Sequence, residues 1–157
     1  MKSQTGTPLS VLGSINTVTL NDGVNNFQGS TDGSPNSIQG SCGPTITSPQ
    51  NFYRFYATFT HIIISTCNQA DFDTKLSLFQ IDTSSTEAIG TCIGGNDDGC
   101  SLTSRYESDI ESSKDYLIIV HGFQNQSGTY TLSVTPSNFF ITYTITKTVN
   151  INNYSSA

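Results

Sequence analysis

A chain of 157 residues, 34% of them apolar, is long enough to bury one core and too short for two domains of ordinary size. Only 11% of its residues are charged, and twelve acidic against six basic side chains leave a net charge of −6 with no Lys/Arg cluster, which argues against nucleic acid and anionic membrane surfaces as partners. Ser, Thr, Asn and Gly carry the solubility instead of charge, a balance that suits an all-β extracellular protein better than a helical cytosolic one.

Residues Met1 to Thr7 show no periodicity and read as a disordered N-terminal tail. There is no N-terminal apolar stretch of the signal-peptide kind and no apolar run approaching about 18 residues, so neither a signal peptide nor a membrane span is expected within this sequence. Pro8 to Leu20 alternates loosely, as one or two short strands would. Asn21 to Gln50 is rich in Asn, Gly, Ser, Asp and Pro, with little apolar content beyond Phe27, Ile38 and Ile46, and predicts turns and irregular chain pinned by a disulfide at Cys42.

At Asn51 the pattern changes to alternating aromatics, with Phe52, Arg54, Tyr56 and Thr58 on one side and Tyr53, Phe55, Ala57 and Phe59 on the other. His61 to Thr66 is a β-branched run of the kind found in the middle of a sheet. Leu76–Ile81, Glu87–Cys92, Tyr106–Ile110, Asp115–Val120 and Gly128–Val134 supply further strands between Gly/Asn/Asp/Ser clusters. Strands at this spacing without a 3.6-residue period predict a β-sandwich over residues 8–135.

Pro136 is expected to break the chain, leaving residues 136–157 as an extension. Within it Phe139, Ile141, Tyr143, Ile145, Val149 and Ile151 share one face, interrupted by Lys147, and Phe140, Thr142, Thr144, Thr146 and Thr148 share the other. At about 13 residues this strand is more than twice the mean length. It is an aggregation liability unless paired. It either pairs within its own sandwich or is donated to the sheet of a neighbouring copy, and head-to-tail donation that does not close builds a filament.

Cys42, Cys67, Cys92 and Cys100 form no C-x-x-C pair and read as two disulfides in an oxidising compartment, with three connectivities open. Two acid-rich turns, Asp71-Phe72-Asp73-Thr74 and Asn96-Asp97-Asp98-Gly99, lie beside three of these cysteines. Asp71, Asp73, Asp97 and Asp98 either converge on Ca²⁺, a hard cation that takes oxygen ligands, or cap their own turns through side-chain to backbone bonds. His61 and His121 lack a matching third ligand for zinc. No G-x-S-x-G elbow or other nucleophile signature is present, and Glu107, Asp109 and Glu111 alternate as solvent-facing residues do, so no enzyme activity is expected. The aromatics fall in strand alternation and read as core more simply than as a sugar platform. Asn125 and Asn153 open N-x-S triplets and are candidate glycosylation sites.

The run from IIISTCNQADFDTKLSLF to GTCIGGNDDGC resembles the pre-peptidase C-terminal domain family, and the likeness continues through Arg54–Phe59, Ser104-Arg105, Tyr116–Val120 and Gly122-Phe123 to Val134, roughly half of the chain. The resemblance implies an antiparallel jelly-roll-like sandwich, stapled here by disulfides, with the C-terminal strand as an addition. It also implies a non-catalytic role in exported proteins and acidic turns that are neighbours in space. On that implication Cys67 pairs with Cys100 and Cys42 with Cys92. The expected function is an extracellular structural or adhesive subunit that forms homo-oligomers or filaments by strand addition. The competing expectation is a calcium-dependent module that binds glycan or matrix protein.

Overall fold

The computed structural model describes Leu12, residues 14–82 and residues 89–138, and apart from the 3₁₀ conformation of Leu12 the regular elements among them are strands. In chain order these are β1 (Ile15–Thr17), β2 (Asn25–Ser30), β3 (Gly40–Ser41), β4 (Thr45–Ile46), β5 (Asn51–Tyr56) and β6 (His61–Ser65). They continue with β7 (Thr74–Ile81), β8 (Ile89–Asn96), β9 (Arg105–Asp109), β10 (Asp115–Gly122) and β11 (Thr129–Ser137). One sheet runs in the order β1-β5-β10-β7-β8, the second in the order β2-β11-β6-β9, and β3 and β4 form a separate hairpin. All ladders are antiparallel except β1 with β5.

The space between the sheets is filled as period-2 alternation requires. Tyr130, Leu132 and Val134 of β11 point inward with Ile62 and Ile64 of β6, against Tyr53 and Phe55 of β5, Leu76 and Leu78 of β7 and Tyr116, Ile118 and Val120 of β10. The unbroken run Leu117-Ile118-Ile119-Val120 cannot leave its other face in water. Leu117 and Ile119 therefore meet Phe52, Phe79 and Ile81 on the outer side of the five-stranded sheet, under a cover of Leu12, Ile38, Cys42 and Ile46. Each such side chain contributes about 1.5–3 kcal/mol when fully buried. Gln50 holds this cover in place: its Oε1 accepts from Ile38 N (2.9 Å) and its Nε2 donates to Ile38 O (2.7 Å), so a buried amide stands in for a missing sheet partner.

Three sequence expectations need correction. Asn21–Gln50 is not simply irregular, because Asn25–Ser30 pairs with β11 from Asn25↔Val134 to Ser30↔Thr129. Its one apolar side chain, Phe27, packs on the core beside Tyr53, and an edge strand needs no more. β8 runs past Cys92 to Asn96 through Gly94 and Gly95. β11 does not stop before Pro136 but continues to Ser137, with Pro136 opposite Ile62. Beyond Val134 the strand has a neighbour on one flank only among the described residues, a position where proline is tolerated. The expected strand from Phe139 to Ile151 lies outside the described residues.

Candidate functional site

The β7–β8 ladder brings the two acidic turns together. Leu76 pairs with Asn96, so the residue that leads into β7 and those that follow β8 emerge at the same end of the sheet. Ligand oxygens of Asp73, Asp97 and Asp98 all lie within 4.8 Å of one another. Asp71 is not part of the group. Its Oδ1 accepts from Thr129 N (2.8 Å) and its Oδ2 from Thr129 Oγ1 (2.9 Å), a long-range tie between the loop before β7 and the start of β11 in place of a cap on its own turn.

Backbone and side-chain bonds fix Asp73 and Asp97 against the mutual repulsion of the group. Asp73 N donates to Gln126 Oε1 (3.1 Å), Phe123 N donates to Asp73 O (2.9 Å), and Asp97 N donates to Asn96 Oδ1 (2.8 Å). The buried Ser104 hydroxyl lies against the carbonyls of Thr74 and Asp97. The disulfide Cys67–Cys100, with Cα atoms 5.6 Å apart, ties the loop before β7 to the loop after β8. The chain turns tightly beside each cysteine, at Asn68 (φ 58°) and Ser101 (φ 60°).

Asp73 Oδ1 and Asp97 Oδ1 are buried and have no hydrogen-bond partner. Burial first, then the neighbouring carboxylates, raises the pKa of Asp73 and of Asp97, and the nearby Lys75 pulls the other way without cancelling the rise. Lys75 is itself committed, donating to Thr45 O (3.0 Å) with its Nζ 5.2 Å from the centre of the Phe123 ring. Crowded, under-neutralised oxygens of this kind fit a hard divalent cation. Leu102 and Phe123 stand exposed at the same end, Leu102 through the loop whose carbonyl accepts from Thr74 N and Phe123 beside Lys75.

The histidines serve other ends. His61, buried at the start of β6, holds Asp109 Oδ1 at Nδ1 (2.8 Å) and Glu107 Oε2 at Nε2 (2.7 Å), both from the paired strand β9. His121 is fully buried, with Nε2 3.0 Å from Ser77 Oγ. The Ser77 hydroxyl donates to Cys42 O (2.7 Å), so its proton is engaged and neither side chain reaches solvent. A Ser–His contact in this setting cannot meet a substrate.

Cys42 pairs with Cys92, again with Cα atoms 5.6 Å apart, and joins the cover of the outer core to β8. The two pairings are those implied by the resemblance to the pre-peptidase C-terminal domain. Asn125 is exposed in the turn between β10 and β11, and Asn153 lies outside the described residues. Sequence reading gave no site role to Lys75, Ser104 or Gln126, Ser104 entering only through the Ser104-Arg105 motif of the resemblance. Their places beside the acidic turns become visible only once the ladders set their register.

No family model matches the sequence, and no curated protein is significantly similar to it. Among solved structures, the pre-peptidase C-terminal domain of collagenase from Bacillus anthracis aligns over 78% of this chain and 95% of its own, with a TM-score of 0.50 and 18% identity. PliG from Aeromonas hydrophila, a periplasmic lysozyme inhibitor of g-type lysozyme, aligns over 77% of this chain and 96% of its own, with a TM-score of 0.47 and 15% identity. Its Salmonella Typhimurium counterpart aligns over 78% and 98%, with a TM-score of 0.38 and 12% identity. The chain is thus an all-β sandwich with the fold of a pre-peptidase C-terminal domain.

Proposed function

We propose that the protein is a non-catalytic, extracytoplasmic structural subunit that joins copies of itself through its C-terminal segment. The observation that carries this reading is the position of β11, the strand from which the segment issues. β2 lies along one flank from Thr129 to Val134 and β6 along the other from Ser133 to Ser137, so a simple hairpin return beside β11 is blocked over most of its length. The apolar face from Phe139 to Ile151 therefore needs another surface. Two disulfides support residence in an oxidising compartment, and the enclosed Ser77–His121 pair supports the absence of hydrolytic chemistry. Sedimentation and negative-stain imaging of the full chain across a concentration series should show ordered oligomers or filaments. A protein that stays monomeric throughout overturns the reading.

The acidic end supports a second reading, calcium-dependent binding of a protein or glycan, for which the orphaned oxygens of Asp73 and Asp97 are the specific observation. Asn125, exposed at the same end of the sandwich, is then available to carry a glycan. Calcium that binds only the folded chain stabilises it by about 2.7 kcal/mol at a hundredfold excess over Kd. Thermal melts with calcium and with chelator should differ accordingly, and Asp98→Asn should abolish the difference while raising the melting temperature in chelator by relieving repulsion. A wild-type melt that neither addition moves counts against calcium at this site.

A further inference from the structure

Among the described residues the sandwich has four outer strands, β1 and β8 on one sheet and β2 and β9 on the other, and they are unequal as places for an added strand. β8 is bulged twice against β7, and its outer side is covered where Gly43 lies against the backbone of Gly95 beside the Cys42–Cys92 disulfide. Bulges and cover of this kind block strand addition. β9 presents Arg105, Glu107 and Asp109 along its five residues, charges that oppose pairing with an uncharged strand.

The edges of β1 and β2 differ from both. They face one another across a cleft of about 760 Å³ lined by Ser14–Val18, Asn26–Gly29, Asn51 and Tyr53, and not one of these residues is charged. Ile15, Val18 and Phe27 are half-buried along it. Phe27 rests on Tyr53, whose hydroxyl meets that of Tyr130 at 2.7 Å, so the floor is rigid and aromatic. Sheets stack about 10 Å apart and neighbouring strands about 4.8 Å apart, which leaves width for one strand between two sheet edges.

We propose that this cleft receives the C-terminal segment of a second copy of the chain, with Ile141, Tyr143 and Ile145, a stretch that fits the six residues of β2, turned toward Val18, Phe27 and Tyr53 and the intervening threonines turned to water. The proposal rests on the assembly reading above and names the receiving edge. Polarity matches on both sides, since Ile141 to Ile145 carries no charge and the cleft has none, while Lys147 falls beyond this stretch.

Direction favours the second copy over the chain's own cleft. β11 runs antiparallel to β2, so a segment that turns back from Ser137 runs parallel to β2. It must also leave from the β6 flank, where Thr60 N donates to Asn138 Oδ1 (3.0 Å) and to Ser137 O (3.2 Å), and then cross two strand spacings. Another copy can add the segment antiparallel, the somewhat more stable arrangement, without spending its first residues on a crossing.

The test uses the full chain carrying a benzoylphenylalanine photoprobe in place of Tyr143, with copies of two isotopic compositions mixed before assembly. Irradiation should give adducts between copies of unlike mass, mapped to Ser14–Val18 or Asn26–Gly29. Adducts confined to single copies overturn the donation. Gln28→Glu, a near-isosteric change at an exposed β2 position, should raise the concentration needed for assembly by about tenfold or more, because a charge on the receiving edge opposes pairing with an uncharged strand. Thr91→Glu on β8 should leave assembly unchanged. Circular dichroism of each variant reports that the monomer still folds. Assembly that survives Gln28→Glu but fails with Thr91→Glu removes the β1/β2 edge while leaving assembly standing, whereas a wild-type chain that never associates removes both.

Discussion

His61 and His121 are both buried, at 6% and 0% exposure, yet their surroundings push their titrations in opposite directions. For His61 burial disfavours the imidazolium, but hydrogen bonds to Asp109 and Glu107 outweigh it and raise the pKa. For His121 burial acts with the nearby Lys75 charge and brings the pKa down to about 3. The contribution of the His61 clamp is present below the ordinary imidazole value of about 6.5 and is lost as pH rises through the raised value. His121 stays neutral in the fold while the unfolded chain takes up a proton, so its effect is a loss of stability as pH falls from about 6.5 toward 3. Urea midpoints from about pH 3 to well above the ordinary imidazole value should show His61→Gln flattening the profile on the alkaline side and His121→Gln flattening it on the acid side. An acid limb unchanged in His121→Gln would contradict the assignment. Of these residue-scale features only the acidic turns were legible in the sequence, because each is contiguous. That Asp71 ties to Thr129 while Asp73 joins Asp97 and Asp98 depends on which way each side chain leaves its turn, and neighbours in sequence do not record that.

Strands were legible where alternation or an aliphatic run forces them, as in β5, β6, β7 and β10. β2 was not, since NNFQGS carries one apolar residue and its pairing is decided by β11. The role of the Asn/Gly/Ser-rich segment was hidden for a related reason. It forms a lid over the outward face of β10 and β7, and its few apolar residues, Ile38 and Ile46, matter through that face rather than through any period of their own. The Cys42–Cys92 bond fixes this lid across a sequence separation of 50, worth about 4 kcal/mol in the chain-entropy account. Replacing both cysteines with serine should lower stability by about that amount and should expose the outer core first. Hydrogen exchange would then report faster exchange at Ile38 and Leu117 than at Leu132 and Ile64. Uniform acceleration across both cores would show instead that the lid and the sandwich unfold as one.

The molecule has two unlike ends. The acidic group, Leu102 and Phe123 gather where β7 begins and β8 stops, and the chain leaves at the other, past Ser137 and Thr60. The exit strand is interior to its sheet, gripped by six residue pairs toward β2 and five toward β6. Tension applied through the C-terminus therefore acts along β11, and antiparallel hydrogen bonds lie across that direction. Both ladders are loaded in shear at once instead of peeling one bond at a time. In single-molecule pulling the domain should yield in one abrupt high-force event when tethered at its C-terminus, and at lower force when tethered through the edge strand β9 at Asp109. Whatever load reaches Ser137 is thus shared by two ladders at once, and the grip of the fold on one interior strand sets what the domain bears.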